Sequence, residues 1–178
     1  MLETKRLILR KWEESDAENL YKYASNQLVG PAAGWPPHTS VENSREIIKN
    51  VLSSPETYAI VDKRTNTAIG SIGIKIGKYS NLGIPDTEGE IGYWLGVDFW
   101  GQGLVPEAVT RIIEHGFCEL KLNTIWCGYY EGNEKSKRVQ EKAGFRYSHT
   151  IKDMECPLIN EFKTVHISKI TQEEWKKA

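Results

Sequence analysis

Residues 89–117 read GEIGYWLGVDFWGQGLVPEAVTRIIEHGF, and this stretch decides the fold. Glu90 to Leu95 mixes aromatic and branched residues as a strand does. From Val105 the apolar residues Ala108, Val109, Ile112, Ile113 and Phe117 recur at helical spacing, so the hydrophobic period changes across the glycines between. Pro106 suits a first helical turn, where its missing N–H is not needed, and Glu107 suits the positive end of the helix dipole.

Between strand and helix lies Trp100-Gly101-Gln102-Gly103-Leu104-Val105. Its glycines admit positive φ and let a ligand approach the main chain. Successive N–H groups ahead of a helix can converge on an anion, and because Pro106 has no donor, such a cradle is built from the amides before it. The triplet alone reads as a turn that packs tightly; with the strand before it and the helix after it, a phosphate site and such a turn stand as equal alternatives.

Working outward, the chain of 178 residues is expected to be a single domain over 1–178, with a sizeable core. Hydrophobic residues at 39%, charged residues at 26% and a net charge of −1 indicate a soluble globular protein and argue against a nucleic-acid partner. The start, MLETKRLILRKW, interleaves charges with apolar residues, so neither a signal peptide nor a membrane anchor is expected and cytoplasmic residence follows. Cys118, Cys127 and Cys156 are odd in number and lack metal-ligand spacing, which predicts neither a disulfide framework nor a metal site.

Lys5 to Trp12 reads as an opening strand, and Ser15 with Glu18 as a capping box ahead of a helix carrying Ala17, Leu20, Tyr21 and Ala24. Val29 to His38 is rich in glycine and proline and reads as a loop. Thr39 and Glu42 repeat the capping pattern before a helix with Val41, Ile48, Val51 and Leu52. Tyr58–Asp62 and Ala68–Ile76 are expected to form a hairpin, and Gly77–Glu88 a loop. Thr124–Tyr130 is a further strand and Glu134–Ala143 a short helix with Gly144 at C′ and Phe145 beside it. Phe145–Ile151 and Phe162–Ile170 close the sheet, and Trp175 anchors the tail. The order β-α-α-β-β-β-α-β-α-β-β predicts an α+β fold, a mixed six- to seven-stranded sheet with helices on both faces.

With this order, TKRLILRKW, EIGYWLGVDFWGQGLVPEAV and NEKSKRVQEKAGF together resemble the GNAT superfamily of acyl-CoA N-acyltransferases, and within it the branch of the ribosomal-protein N-terminal acetyltransferases. The resemblance covers nearly the whole chain. It lays the family's phosphate loop, Gln/Arg-x-x-Gly-x-Gly/Ala, on Trp100, Gly101, Gln102, Gly103, Leu104 and Val105, with Trp and Val as departures at the two ends. It implies that backbone amides of this loop hold the pyrophosphate of acetyl-CoA and that the main chain of Tyr93, Trp94 and Leu95 pairs with the pantetheine arm. The strand Trp126 to Tyr129 would splay away to admit the thioester, with Gly92 a suitable bulge.

Asn133 and Ser136 match the family's Asn-x-x-Ser, which implies a cofactor contact for Asn133 and a place near the leaving thiolate for Ser136. Read from the residues alone, Asn133 is a sufficient helix N-cap and Ser136 a solvated first-turn serine. Glu90 matches the carboxylate that removes a proton through water in many members; by itself it is equally a surface carboxylate on a strand end. The N–H of Leu95 or a neighbour is positioned to polarise the thioester. Trp35 and His38, in Trp35-Pro36-Pro37-His38, either wall an acceptor pocket with Tyr129 or form a rigid corner. His115, near Arg111 on the polar face of its helix, His149 and His166 read as surface or packing residues.

These readings converge on an enzyme that moves acetyl from acetyl-CoA directly to a primary amine, a protein N-terminal α-amine foremost. The alternatives are a small-molecule acceptor (polyamine, amino sugar or aminoglycoside) and a non-catalytic CoA-binding module. A homodimer is compatible with the fold.

Overall fold

The computed structural model describes residues 1–177; Ala178, the end of the expected domain, lies outside the described residues. Its strands are β1 (Leu2–Glu3), β2 (Leu7–Arg10), β3 (Thr57–Asp62), β4 (Thr67–Ile76), β5 (Glu88–Leu95), β6 (Thr124–Tyr130), β7 (Arg146–Cys156) and β8 (Glu161–Thr171). Its helices are α1 (Ala17–Ala24), α2 (Gly30–Ala33), α3 (Val41–Asn50), α4 (Leu104–Cys118), α5 (Glu134–Lys142) and α6 (Gln172–Lys176). The strands form an eight-stranded sheet in the order β1-β2-β3-β4-β5-β6-β8-β7, mixed because β5 and β6 run parallel. The fold class is α+β, as expected, with one strand more than predicted. The extra strand is β1, two residues that fold back onto β2 through Leu2↔Leu9 and are too short to carry a period.

The chain divides into two compact units, one of Met1–Gly73 with Tyr93–Ala108 and one of Ile74–Gly92 with the residues from Val109 onward. The core of the first gathers Trp12, Ala17, Leu20, Ala24, Ile48, Ala59, Val61 and Ala68, with Trp35 and Trp94 against it. The buried indole of Trp12 donates to Ser71 Oγ at 3.2 Å, and that hydroxyl donates to Tyr58 O at 3.1 Å. Both expected caps are displaced in this unit. Asp16 is gripped by the Arg10 fork at 2.7 and 2.8 Å, the reciprocal box forms between Glu13 and Asp16 around a short 3-10 turn, and the Ser15 hydroxyl donates to Glu13 Oε2 at 3.4 Å and does not cap. At α3 the cap is Ser40, whose side chain accepts from Asn43 N, and the Thr39 N–H goes to Asn43 Oδ1 at 3.1 Å instead of to Glu42. Val51 is the C-cap and is 54% exposed, so it leaves the expected apolar stripe. The Val29–His38 segment contains α2, admitted by Pro31 in its first turn and closed by Gly34 at φ +87°.

In the second unit Ile91, Ile112, Ile113, Phe117, Ile125 and Ile167 are fully buried. Helix and strand come close there: a Cβ at Gly116 would lie 2.7 Å from Ile125 Cδ1. Gly144 takes φ +88° after α5, as its C′ position requires, and Phe145 is buried. The closing hairpin is longer than expected. It is followed by α6, held by a capping box between Thr171 and Glu174, and the Trp175 ring lies 5.4 Å from Phe117. His115 is buried, with Glu119 Oε2 one turn on lying 3.0 Å from its Nδ1. The Gly77–Glu88 segment opens with a 3-10 turn, Gly77–Tyr79, and yields Glu88 to β5.

Candidate active site

In the first unit the loop from Trp100 to Val105 has the predicted backbone. Gly101 and Gly103 have φ of +75° and +73°. A Cβ at Gly101 would meet nothing within 4 Å, and one at Gly103 only Arg6 Nη2 at 3.7 Å, so the glycines answer a backbone requirement and leave the loop's outer side open. The amide of Glu107 bonds to Gly103 O at 3.4 Å. The N–H groups of Leu104 and Val105 precede that bond, as donors at a helix start do. This open cradle of main-chain donors fits a pyrophosphate. Leu104 is buried and Val105 half-buried. Trp100 spends its indole N–H on Leu95 O at 2.8 Å, and Gln102 Nε2 turns back to Asp98 O at 3.0 Å. The Leu95 carbonyl, expected among the pantetheine partners, is therefore already engaged. Trp94 is fixed by close approach of its carbonyl, which a Cβ at Gly70 would strike.

Glu107 does more than complement the helix dipole. Its Oε1 accepts from Thr4 Oγ1 at 2.5 Å and Arg6 N at 2.8 Å, its Oε2 from Arg6 Nε at 2.7 Å, and Arg6 Nη1 donates to Gln102 O at 2.9 Å. Burial pushes the Glu107 carboxyl up, but these donors and the Arg6 charge outweigh it and hold it below the usual carboxylate range.

The same unit brings Trp35 and His38 together with Trp94. Ring centroids lie 5.7 Å apart for Trp35 and Trp94, edge to face, and 5.3 Å apart for Trp35 and His38. His38 is tied through Nδ1 to Ser44 Oγ at 2.8 Å and through its amide to Ala24 O at 3.1 Å. Burial lowers its pKa, so it is neutral near pH 7. These bonds give the corner its rigidity.

In the second unit the parallel ladder runs from Glu88↔Thr124 to Ile91↔Cys127, while β5 continues to Leu95 and β6 to Tyr130. A Cβ at Gly92 would meet nothing within 4 Å. Glu90 pairs in register with Trp126, so by strand alternation Trp126, Gly128 and Tyr130 share its face. Glu90 Oε2 accepts from the buried Ser80 hydroxyl at 2.7 Å. Tyr130 Oη lies 3.4 Å from the thiol of Cys156, itself buried. Burial, that thiol and the nearby charge of Glu90 raise the Tyr130 pKa, keeping it a phenol throughout the physiological range. Tyr129 falls on the opposite face. Its ring lies 5.1 Å from His166, and it lines a cavity of about 260 Å³ with Lys137, Glu141, Phe145, Tyr147 and Ser168, so it is not brought to Glu90.

Asn133 caps α5, its Oδ1 accepting from Ser136 N at 3.1 Å. Gln140, one turn on from Ser136, is buried; its Nε2 donates to Gly128 O at 3.0 Å and lies 3.5 Å from Ser136 Oγ, and its Oε1 accepts from Ser168 Oγ at 2.9 Å. That bridge fixes the C-terminal half of α5 against β6 and β8.

Sequence reasoning missed Ser80, Tyr130 and Cys156 around Glu90, and Thr4 and Arg6 around Glu107. Tyr130 was accessible from alternation along β6 once Ile125 and Cys127 are taken as inward. Ser80 sits in an irregular segment with no period to report it.

A family model described as an acetyltransferase (GNAT) domain matches residues 6–146. A Bacillus licheniformis protein, p20, described as an uncharacterized N-acetyltransferase, is 33% identical over 159 residues, 86% of each chain. A GNAT-family acetyltransferase structure from Bacillus anthracis superposes with a TM-score of 0.83 at 25% identity, covering 97% of this chain and 98% of that one. The fold is also that of the ribosomal-protein-S5-alanine acetyltransferase from Vibrio fischeri, with a TM-score of 0.72 at 23% identity over 97% of both chains.

Proposed function

The chain belongs to the GNAT acetyltransferase family and is an acyl-CoA-dependent N-acetyltransferase, and from that premise we propose that its donor is acetyl-CoA and its acceptor a protein N-terminal α-amine. The thioester supplies an activated acetyl group when bound. Main-chain donors of Gly101 to Val105 hold the pyrophosphate, and the main chain of Tyr93 and Trp94 with the Leu95 N–H faces the arm and the thioester oxygen. Glu90 takes the proton that the amine loses as its nitrogen forms the amide bond, through water, and Ser136 supports the sulfur as it departs. Asn133, whose Oδ1 is spent on the cap, has its amide NH₂ for the cofactor.

The observation that carries this reading is the state of Glu90. One oxygen is held by Ser80, and the other has no partner among the described residues, on the strand that leads into the phosphate loop. A single carboxylate suits an α-amine. Such an amine has a pKa of about 7.7–8.0 and is partly neutral near pH 7, whereas a lysine-like amine at about 10.4 is almost wholly protonated. The branch resemblance supports the same acceptor.

Purified protein with acetyl-CoA should acetylate peptide N-termini faster than polyamines, amino sugars or aminoglycosides, as read by release of free CoA. With the best acceptor, Glu90→Gln should lower kcat/KM at pH 7 by about 10–100-fold, at or below the lower range for loss of a general base. The deficit should shrink toward pH 9 as solvent deprotonates the amine. A deficit that is flat from pH 6 to 9 removes the base assignment, and preference for a small amine removes the acceptor.

A further inference from the structure

The Gly77–Glu88 segment is not a slack connection. Ser80 N–H donates to Gly77 O at 3.0 Å, and Glu88 N–H to Pro85 O at 2.9 Å. Gly77 takes φ +52°, and a Cβ there would run into the Asp86 side chain, so the two ends of the segment close on each other. This frame is built without Glu90.

Ser80 sits inside it, 8% exposed, with extended backbone at φ −81° and ψ +148°. Its Oγ has two partners. The Leu82 amide donates to it at 3.0 Å, which occupies oxygen lone-pair density, and the hydroxyl proton goes to Glu90 Oε2 at 2.7 Å. With one lone pair accepting from the Leu82 N–H, the carboxylate oxygen at 2.7 Å is the acceptor that draws the hydroxyl proton. The carboxylate is thereby held at Oε2, and Oε1 has no partner among the described residues.

We infer that Ser80 is a positioning residue for the transfer reaction: it fixes the Glu90 carboxylate so that Oε1 is the oxygen presented to the proton being removed. The inference rests on the reading of Glu90 as the base. Its physical content is preorganisation: a glutamate with three rotatable bonds, free at a strand end, samples orientations in which neither oxygen meets the proton, and each such orientation lowers the reactive fraction. Because the proton transfer belongs to the transition state, loss of the positioning bond falls on kcat and leaves binding of the donor untouched.

The test is a kinetic cycle on the full-length chain with acetyl-CoA and the best peptide acceptor, using Ser80→Ala, Ser80→Thr, Glu90→Gln and the double variant Ser80→Ala with Glu90→Gln. Ser80→Ala should lower kcat by roughly tenfold with the KM for acetyl-CoA within about twofold of wild type. Ser80→Thr keeps the hydroxyl on a backbone that tolerates branching and should restore most of that loss. In the Glu90→Gln background, Ser80→Ala should cost less than about twofold more, because the bond then orients nothing. Calorimetric affinity for CoA, equal in wild type and Ser80→Ala, reports an intact fold independently of turnover. Wild-type kcat in Ser80→Ala alongside an impaired Glu90→Gln overturns the positioning role and leaves the base in place. Equal losses from Ser80→Ala with and without Glu90 also overturn it. Full activity in Glu90→Gln removes the base, and this role with it.

Discussion

Replacing Glu107 by Gln tests whether the N-terminal segment holds the phosphate loop. The substitution keeps the side-chain volume but removes the charge and sets an amide donor against Arg6 N or Nε, now 2.8 and 2.7 Å from the carboxylate. Hydrogen bonds to a charged group contribute about 1.5–3 kcal/mol each. The Arg6 side chain is 45% exposed and that of Glu107 18%, so solvent screening brings the ion-pair part down to about 0–1 kcal/mol. The main-chain N–H and the Thr4 hydroxyl make up the rest, and a loss of about 2 kcal/mol is the result. For a chain of this length that corresponds to a Tm lower by about 4–8 °C. The pH dependence has a definite sign. The folded carboxyl sits below its ordinary value, so the stabilisation is fully present above that value and is lost as pH falls through the folded one. The Tm gap between wild type and Glu107→Gln should therefore stay constant from neutral pH down to the ordinary glutamate range and close in acid. Melting curves by near-UV circular dichroism across that range measure it. A gap under about 1 °C at pH 7, or one unchanged in strong acid, refutes the reasoning. Because Arg6 Nη1 also holds the Gln102 carbonyl, CoA affinity should weaken a few-fold in the same variant.

Two further outcomes bear on the loop and on α5. Gly103→Val places a branched side chain at φ +73°, a strain of about 1–3 kcal/mol, and should weaken CoA binding at least about tenfold by calorimetric titration; unchanged affinity removes the loop as the binding element. Ser136→Ala should lower kcat with little change in KM for acetyl-CoA, and a kcat equal to wild type would return Ser136 to a solvated first-turn residue.

The parts of the fold legible in the sequence are those whose signal is local. The change of period across Gly101 and Gly103, the Asn133 cap and the C′ glycine at Gly144 each report on a few neighbouring residues, and each stands where it was expected. The caps at Ser15 and Thr39 did not, because a partner outside the four-residue pattern took the hydrogen-bonding group first: the Ser15 hydroxyl goes to Glu13 Oε2, and the Thr39 N–H to Asn43 Oδ1. The same reason hid most of the site. Ser80 with Glu90, Tyr130 with Cys156 and Arg6 with Glu107 are separated by 10, 26 and 101 residues, and no period links them.

What joins the second-unit residues is register. In a strand a slip of one residue exchanges the faces, so whether Tyr129 or Tyr130 shares the face of Glu90 depends on which β6 residue lies opposite it. Packing of α4 settles this. Gly116 brings the helix close enough that its Cβ position is 2.7 Å from Ile125 Cδ1, and Ile125 and Cys127 are both buried. Those two residues are therefore committed to the helix side, Tyr129 follows them by alternation, and Trp126 and Tyr130 are left on the side of Glu90. The apolar pair Ile125 and Cys127 stands in the sequence, so Tyr130 could be assigned to the face of Glu90 from the alternation along its own strand. Ser80 could not, since its place depends on the closure of Gly77 against Asp86.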